Sequence, residues 1–190
     1  MTESRPYPSQ YISAGELRNG TKLTIRPMRP DDEVAMVRFH ERLSEESIGS
    51  RYFDQIALAG RTSHPRLARI CGTDYDHELA MVAVHTMARD EEILGVGRLS
   101  RDPLQNQSEL AVVVADDVQH QGVGTELVCA LISIGRQEGY HRLIAHMLPE
   151  NLAIRRLLAK HGFAIRRDSD DRTMIGELVY PDMPQTVITV

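Results

Sequence analysis

At 190 residues the chain can bury one sizeable core without help from disulfides or metals, and a single domain is the economical reading. The 22 Lys and Arg against 27 Asp and Glu give a net charge of -5 with no basic cluster, which argues against nucleic acid as a partner and suits a positively charged substrate better. Two cysteines far apart in sequence, Cys71 and Cys129, and no apolar stretch of signal-peptide or membrane length point to a cytoplasmic protein with reduced thiols and no membrane contact.

Residues 1–20, rich in Pro, Ser, Gly and Tyr and without periodicity, read as an arm or linker ahead of a single domain over 21–190. "TKLTIRPM" reads as a strand, with Leu23 and Ile25 alternating against polar neighbours and Pro27 closing it. "RPDDEVAMVRFHERLS" reads as a helix that starts at Pro30 and Asp31 and presents Val34, Val37 and Leu43 as its apolar stripe. Across 45–72, "SIGSRYF" and "PRLARICG" suggest short helices joined by loops. From His77 the pattern changes to strands, "ELAMVAVHTM", "ILGVGRLS" and "SELAVVVA", separated by "ARDEE" and "RDPLQNQ" as in an antiparallel meander. After Gly122 a helix carries Val123, Leu127, Leu131 and Ile134 on one stripe and stops at Gly139, with Cys129 read as core filler. "HRLIAHML" is then a strand, "ENLAIRRLLAKHG" a helix, and "FAIRRDS" with "RTMIGELVY" a closing hairpin. The fold class is α/β (α+β), a mixed, mostly antiparallel sheet flanked by helices.

The stretch "VVADDVQHQGVGTELV" passes from a buried strand through a two-glycine turn into a helix. A helix begins with backbone N–H groups that have no carbonyl partner, and its dipole adds partial positive charge there. Gly122 and Gly124 would let a bulky diphosphate reach those amides. The plainer alternative is a tight strand-to-helix connection with nothing bound. A third glycine, as in the dinucleotide fingerprint, and the Lys-Ser or Lys-Thr of a P-loop are both missing. His141 and His146 fall on opposite faces of a strand, so no metal site is expected.

"QHQGVG", Gln119 to Gly124, resembles the Gln/Arg-x-x-Gly-x-Gly/Ala signature of the GNAT superfamily of acyl-CoA-dependent N-acyltransferases, and "NLAIRRLLAKHGF", Asn151 to Phe163, resembles its following motif. Leu17 to Phe53 is similar to the start of the acetyltransferase domain in bacterial Pat-type protein lysine acetyltransferases. The resemblance implies a GNAT-like fold and acetyl-CoA, or coenzyme A, as cosubstrate without a metal. It implies that Gln119, His120, Gln121, Gly122, Val123, Gly124 and Thr125 hold the diphosphate. The pantetheine arm would run beside Val112, Val113 and Val114, and the same set includes Asn151, Ile154 and Leu158. Asn151 suits a helix N-cap as well.

Two positions depart from the family pattern. Gln121 stands where Arg or Lys commonly precedes the first glycine, and Leu158 stands where many members carry a tyrosine that protonates the departing thiolate. The resemblance makes Glu109, thirteen residues before Gly122, the general base. By itself Glu109 is an acidic residue opening a run of six apolar ones, which suits either a partly desolvated carboxylate or a solvated strand end. The implied activity is transfer of an acetyl group to a primary amine, in particular a lysine side chain of a protein such as an acyl-CoA synthetase. The alternatives are a small-molecule amine acetyltransferase and a non-catalytic CoA-sensing module.

Overall fold

The computed structural model describes residues 5–53, 57–72, 74–87, 90–169 and 172–182. Positions 1–4, 54–56, 88–89 and 183–190, which the sequence reading placed in the arm, the 45–72 segment, the turn before the second meander strand and the end of the domain, lie outside them.

The apolar run in β3 (Glu78–Met87) shows why the chain folds in three layers. Leu79, Met81 and Ala83 enter one core cluster, while Ala80, Val82 and Val84 enter another on the opposite face. A strand covered on both faces reads as a continuous apolar run and not as an alternation. Among the described residues β3 is joined by β1 (Ser13–Glu16), β2 (Lys22–Pro27), β4 (Asp90–Asp102), β5 (Gln107–Val114), β6 (Arg142–Met147), β7 (Ala164–Arg167) and β8 (Met174–Val179). They form one sheet in the order β1-β2-β3-β4-β5-β6-β8-β7. One face carries α1 (Glu33–Glu41), α2 (Glu45–Tyr52) and α4 (His64–Cys71), with the short α3 (Leu58–Arg61) beside them. The other carries α5 (Val123–Gln137) and α6 (Leu152–Lys160).

Neighbouring strands are antiparallel except β5 and β6, which run parallel. Those two pair only at Gln107 with Arg142, Ser108 with Leu143 and Glu109 with Ile144. Beyond Glu109 they part, and Leu110 to Val114 have no strand partner on that side among the described residues.

Three expectations need correction. Residues 5–20 are not a free arm: Ser13–Glu16 add an edge strand, Tyr11 and Leu17 are buried, and Arg5 makes two hydrogen bonds to Glu138 at 3.0 and 2.6 Å. Of the expected stripe Val34, Val37 and Leu43, Val34 is 69% exposed; the buried apolar residues of α1 are Met36 and Phe39, with Val37 partly buried against the same cluster and Leu43 buried just past the helix. Its phase is set by Asp32, which Arg26 draws inward through hydrogen bonds of 2.8 and 2.6 Å; Met36 and Phe39 then follow at the i+4 and i+7 spacing. Cys129 is exposed, because it lies about 200° around α5 from buried Leu127. No helix among the described residues is long and apolar enough to cross a membrane.

Candidate functional site

Where β5 and β6 part, a cavity of about 370 Å³ opens between the end of β5, the start of α5, α6 and the inner side of α2. Its wall begins with Val112, Val113 and Val114, after which the chain makes a 3-10 turn at Asp116–Val118 and enters the glycine turn. Two residues there have left-handed backbone, His120 at φ 62° and Gly122 at φ 114°. Histidine is among the side chains that tolerate this region, whereas φ 114° strains any residue with a Cβ, which is the physical demand for glycine at 122. Gly124 has a packing reason too: a Cβ there would stand 3.2 Å from Leu157 and 3.6 Å from Val114, so its absence lets α6 close over the turn.

The acidic pair before the turn, which by sequence alone opposes anion binding, is tied up by the helices on the other face. Asp117 forms a bidentate pair with Arg42 at 2.8 to 3.1 Å. Asp116 accepts hydrogen bonds from the Ser44 amide and from the Ser44 and Ser47 hydroxyls at 2.8 to 3.0 Å. Gln119 donates to Ser47 and to the Val114 carbonyl, so α2 is stitched to the rim of the cavity. A cation also arrives from outside the motif. The Arg18 amide bonds the Gln121 carbonyl at 3.0 Å, its guanidinium reaches the His120 carbonyl at 3.3 Å, and the side chain lines the cavity.

Of the residues expected at the cofactor site, Val112, Val113, Val114, Gln119, His120, Gly122, Gly124, Thr125, Asn151 and Ile154 line this cavity together. Asn151 serves as N-cap of α6 at the same time, accepting from the Ile154 amide at 3.1 Å. Gln121, Val123 and Leu158 do not line it. Gln121 turns outward to the Asp117 carbonyl and Asn19, and Val123 and Leu158 are buried in the core. One step along α6, Leu157 takes the position on the wall, because the helix turns Leu158 toward the sheet. Glu109 sits at the last paired rung before the strands part, about 10 Å along β5 from Val112. It is exposed, so the desolvation suggested by its apolar neighbours is not built into this fold.

Sequence reasoning missed Arg18, Glu46, Ser47, Ser50 and Arg51 on the cavity wall. The α2 residues were legible in one respect: "SEESIGSR" puts small polar side chains at helical spacing on one face. Nothing local marks Arg18, whose role depends on the β1–β2 loop meeting the glycine turn.

A family model described as an acetyltransferase (GNAT) domain matches residues 22–164. The acetyltransferase PA5475 of Pseudomonas aeruginosa is 32% identical over 160 residues, covering 84% of each chain. The acetyltransferase Pat of Mycolicibacterium smegmatis is 26% identical over 149 residues, which is 77% of this chain and 43% of that protein. The crystal structure of the GNAT domain of S. lividans PAT superposes with a TM-score of 0.81 at 25% identity, covering 92% of this chain and 99% of that one.

Proposed function

The chain belongs to the GNAT acetyltransferase family, and from that premise we propose that it transfers the acetyl group of acetyl-CoA to a lysine side chain of a protein acceptor, with Glu109 as general base. The observation that carries this reading is the parting of β5 from β6 immediately after Glu109, with the glycine turn at the far end of the same strand. The diphosphate rests on the free amides that open α5, and Arg18 supplies the positive charge that Gln121 does not. The pantetheine arm then lies along the unpaired edge of β5 and shares its main-chain hydrogen bonds, which delivers the thioester toward Glu109.

A lysine amine is only about 0.1% neutral near pH 7.4, so attack on the thioester requires its proton to be taken, directly or through water. Glu109 accepts that proton. A backbone N–H of the Val112–Val114 edge meets the tetrahedral oxyanion, and the CoA thiolate departs without a tyrosine, since a thiol pKa near 8.5 makes it a tolerable leaving group. The exposure of Glu109 suits a large acceptor that approaches from solvent better than a small molecule enclosed in a pocket.

The test is thiol release from acetyl-CoA with a purified AMP-forming acyl-CoA synthetase as acceptor and a panel of small amines in parallel. Release that requires the protein and appears with its lysine acetylated is the expected result; release with a small amine alone moves the assignment to that class, and none despite CoA binding favours a sensing module. Replacement of Arg18 by Gln is expected to raise the KM for acetyl-CoA about five- to tenfold with kcat unchanged. The same variant should leave the KM for acetyl-pantetheine, which lacks the diphosphate, as in the parent. An equal effect on both donors would place Arg18 in folding of the loop and not in phosphate binding.

A further inference from the structure

The sequence contains no basic run, yet the fold gathers Arg51 from α2, Arg66 and Arg69 from α4 and Arg98 from β4 around a second cleft of about 410 Å³. Two carboxylates share its wall, and both are engaged: Glu78 pairs with Arg98, and Asp74 accepts from His77 Nδ1 at 2.9 Å. No carboxylate among the described residues makes an ion pair with Arg51, Arg66 or Arg69. Arg51 and Arg66 lie over the Tyr52 ring at 5.0 and 5.4 Å from its centroid, and Arg66 Nε is buried without a hydrogen-bond partner. Burial together with the charges of Arg51 and Arg66 lowers the pKa of the Arg98 guanidinium. The cleft thus holds three like charges, those of Arg51, Arg66 and Arg69, that no carboxylate among the described residues pairs, in a chain of net charge -5.

Its place in the fold ties it to the reaction. Arg51 lines both this cleft and the first cavity, so the two adjoin. Glu78, Ser100 and Glu109 stand directly opposite one another across β3, β4 and β5 and therefore share a face of the sheet. Two strand spacings, about 10 Å, separate the Glu78 edge of the cleft from the base.

We propose that this arginine-lined cleft binds an acidic segment of the protein acceptor, carboxylates flanking the lysine that is acetylated. The inference rests on the protein-lysine reading above and names the kind of sequence that would carry the lysine. The guanidiniums come from three elements, with Arg66 and Arg69 one turn apart on α4, about 5 Å in rise. Charges distributed in this way suit carboxylates repeated along a chain better than a single phosphate, and a guanidinium pairs a carboxylate through two parallel hydrogen bonds.

The experiment uses lysine peptides of equal length whose flanking residues are Glu in one and Gln in the other. Binding is read by fluorescence anisotropy with labelled versions bearing Nε-acetyllysine, which cannot react, and turnover is read separately with free lysine. The variants are Arg66→Gln/Arg69→Gln and the charge-conserving Arg66→Lys/Arg69→Lys. In the parent the Glu-flanked peptide is expected to bind about tenfold more tightly than the Gln-flanked one, with the difference shrinking as salt is raised. The Gln pair of substitutions should abolish that preference, the Lys pair should keep part of it, and neither should move the KM for acetyl-CoA. Equal binding of the two peptides by the parent, or a preference that survives loss of both arginines, overturns the cleft assignment. Turnover decides the other matter: acetylation without a flank preference sinks the cleft and keeps the protein-lysine reading, while a charge-dependent preference without acetylation of any peptide does the reverse.

Discussion

Glu109→Gln is expected to lower kcat at neutral pH by about 10²- to 10⁴-fold while the KM for acetyl-CoA stays within about twofold. The amide is nearly isosteric and still ends at the rung where β6 leaves β5, so the cavity wall that begins at Val112 is untouched. What it cannot do is accept the proton of an ammonium group. The variant must wait for the rare neutral amine, so its rate should climb about tenfold per pH unit toward the amine pKa near 10.4 and approach that of the parent there. A pH–rate profile of both proteins checks this. Unchanged kcat would leave the fold and family as they are and remove Glu109 from the chemistry; a deficit that persists undiminished at pH 10 would give it a role in positioning the acceptor.

The second large effect is on stability and concerns His40. It is 1% exposed on the inner face of α1, and neither ring nitrogen has a hydrogen-bond partner. Burial, and then the charges of Arg61, Arg66 and Arg98, push its pKa down from 6.5 to about 4. The unfolded chain therefore takes up this proton at about 6.5 and the folded chain only near 4. Proton uptake favours the unfolded state throughout that window, so the His40 contribution falls as the pH drops from 6.5 to about 4, by about 3 kcal/mol in all, and is constant outside it. Denaturant melts of the parent and His40→Leu across this range isolate the effect, because the carboxylates that titrate in acid are common to both. The difference in unfolding free energy should widen toward acid in favour of the variant. Parallel curves would mean that His40 is protonated without penalty in the folded protein.

How far the sequence could be read depended on whether a residue's role is local. The strand β3 and the helix α5 were legible because burial imposes a period: an unbroken apolar run in one, Val123, Leu127, Leu131 and Ile134 at helical spacing in the other. The glycine turn was legible because a positive φ at Gly122 can be met cheaply by one residue type. Edge strand β1 was not, since three exposed residues and a half-buried glycine on a sheet margin carry no period to detect. The stripe of α1 was misplaced because its rotation about the helix axis is fixed by a salt bridge from Asp32 to Arg26 on another element, which no window along the chain contains.

By itself the sequence determined the order of strands and helices from β2 onward, the two motifs at Gln119–Gly124 and Asn151–Phe163, and the family they belong to. Those are features of neighbouring residues, set by backbone dihedrals and by short-range periodicity. Only the tertiary structure decided that β6 abandons β5 after Glu109, that Leu157 and not Leu158 faces the cavity, and that Arg18 meets the glycine turn. It alone brought together Arg51, Arg66, Arg69 and Arg98, which a count of charge along the chain disperses. Electrostatic and packing interactions act through space over a few ångströms, so their partners are chosen by which elements the core brings together and not by separation along the chain.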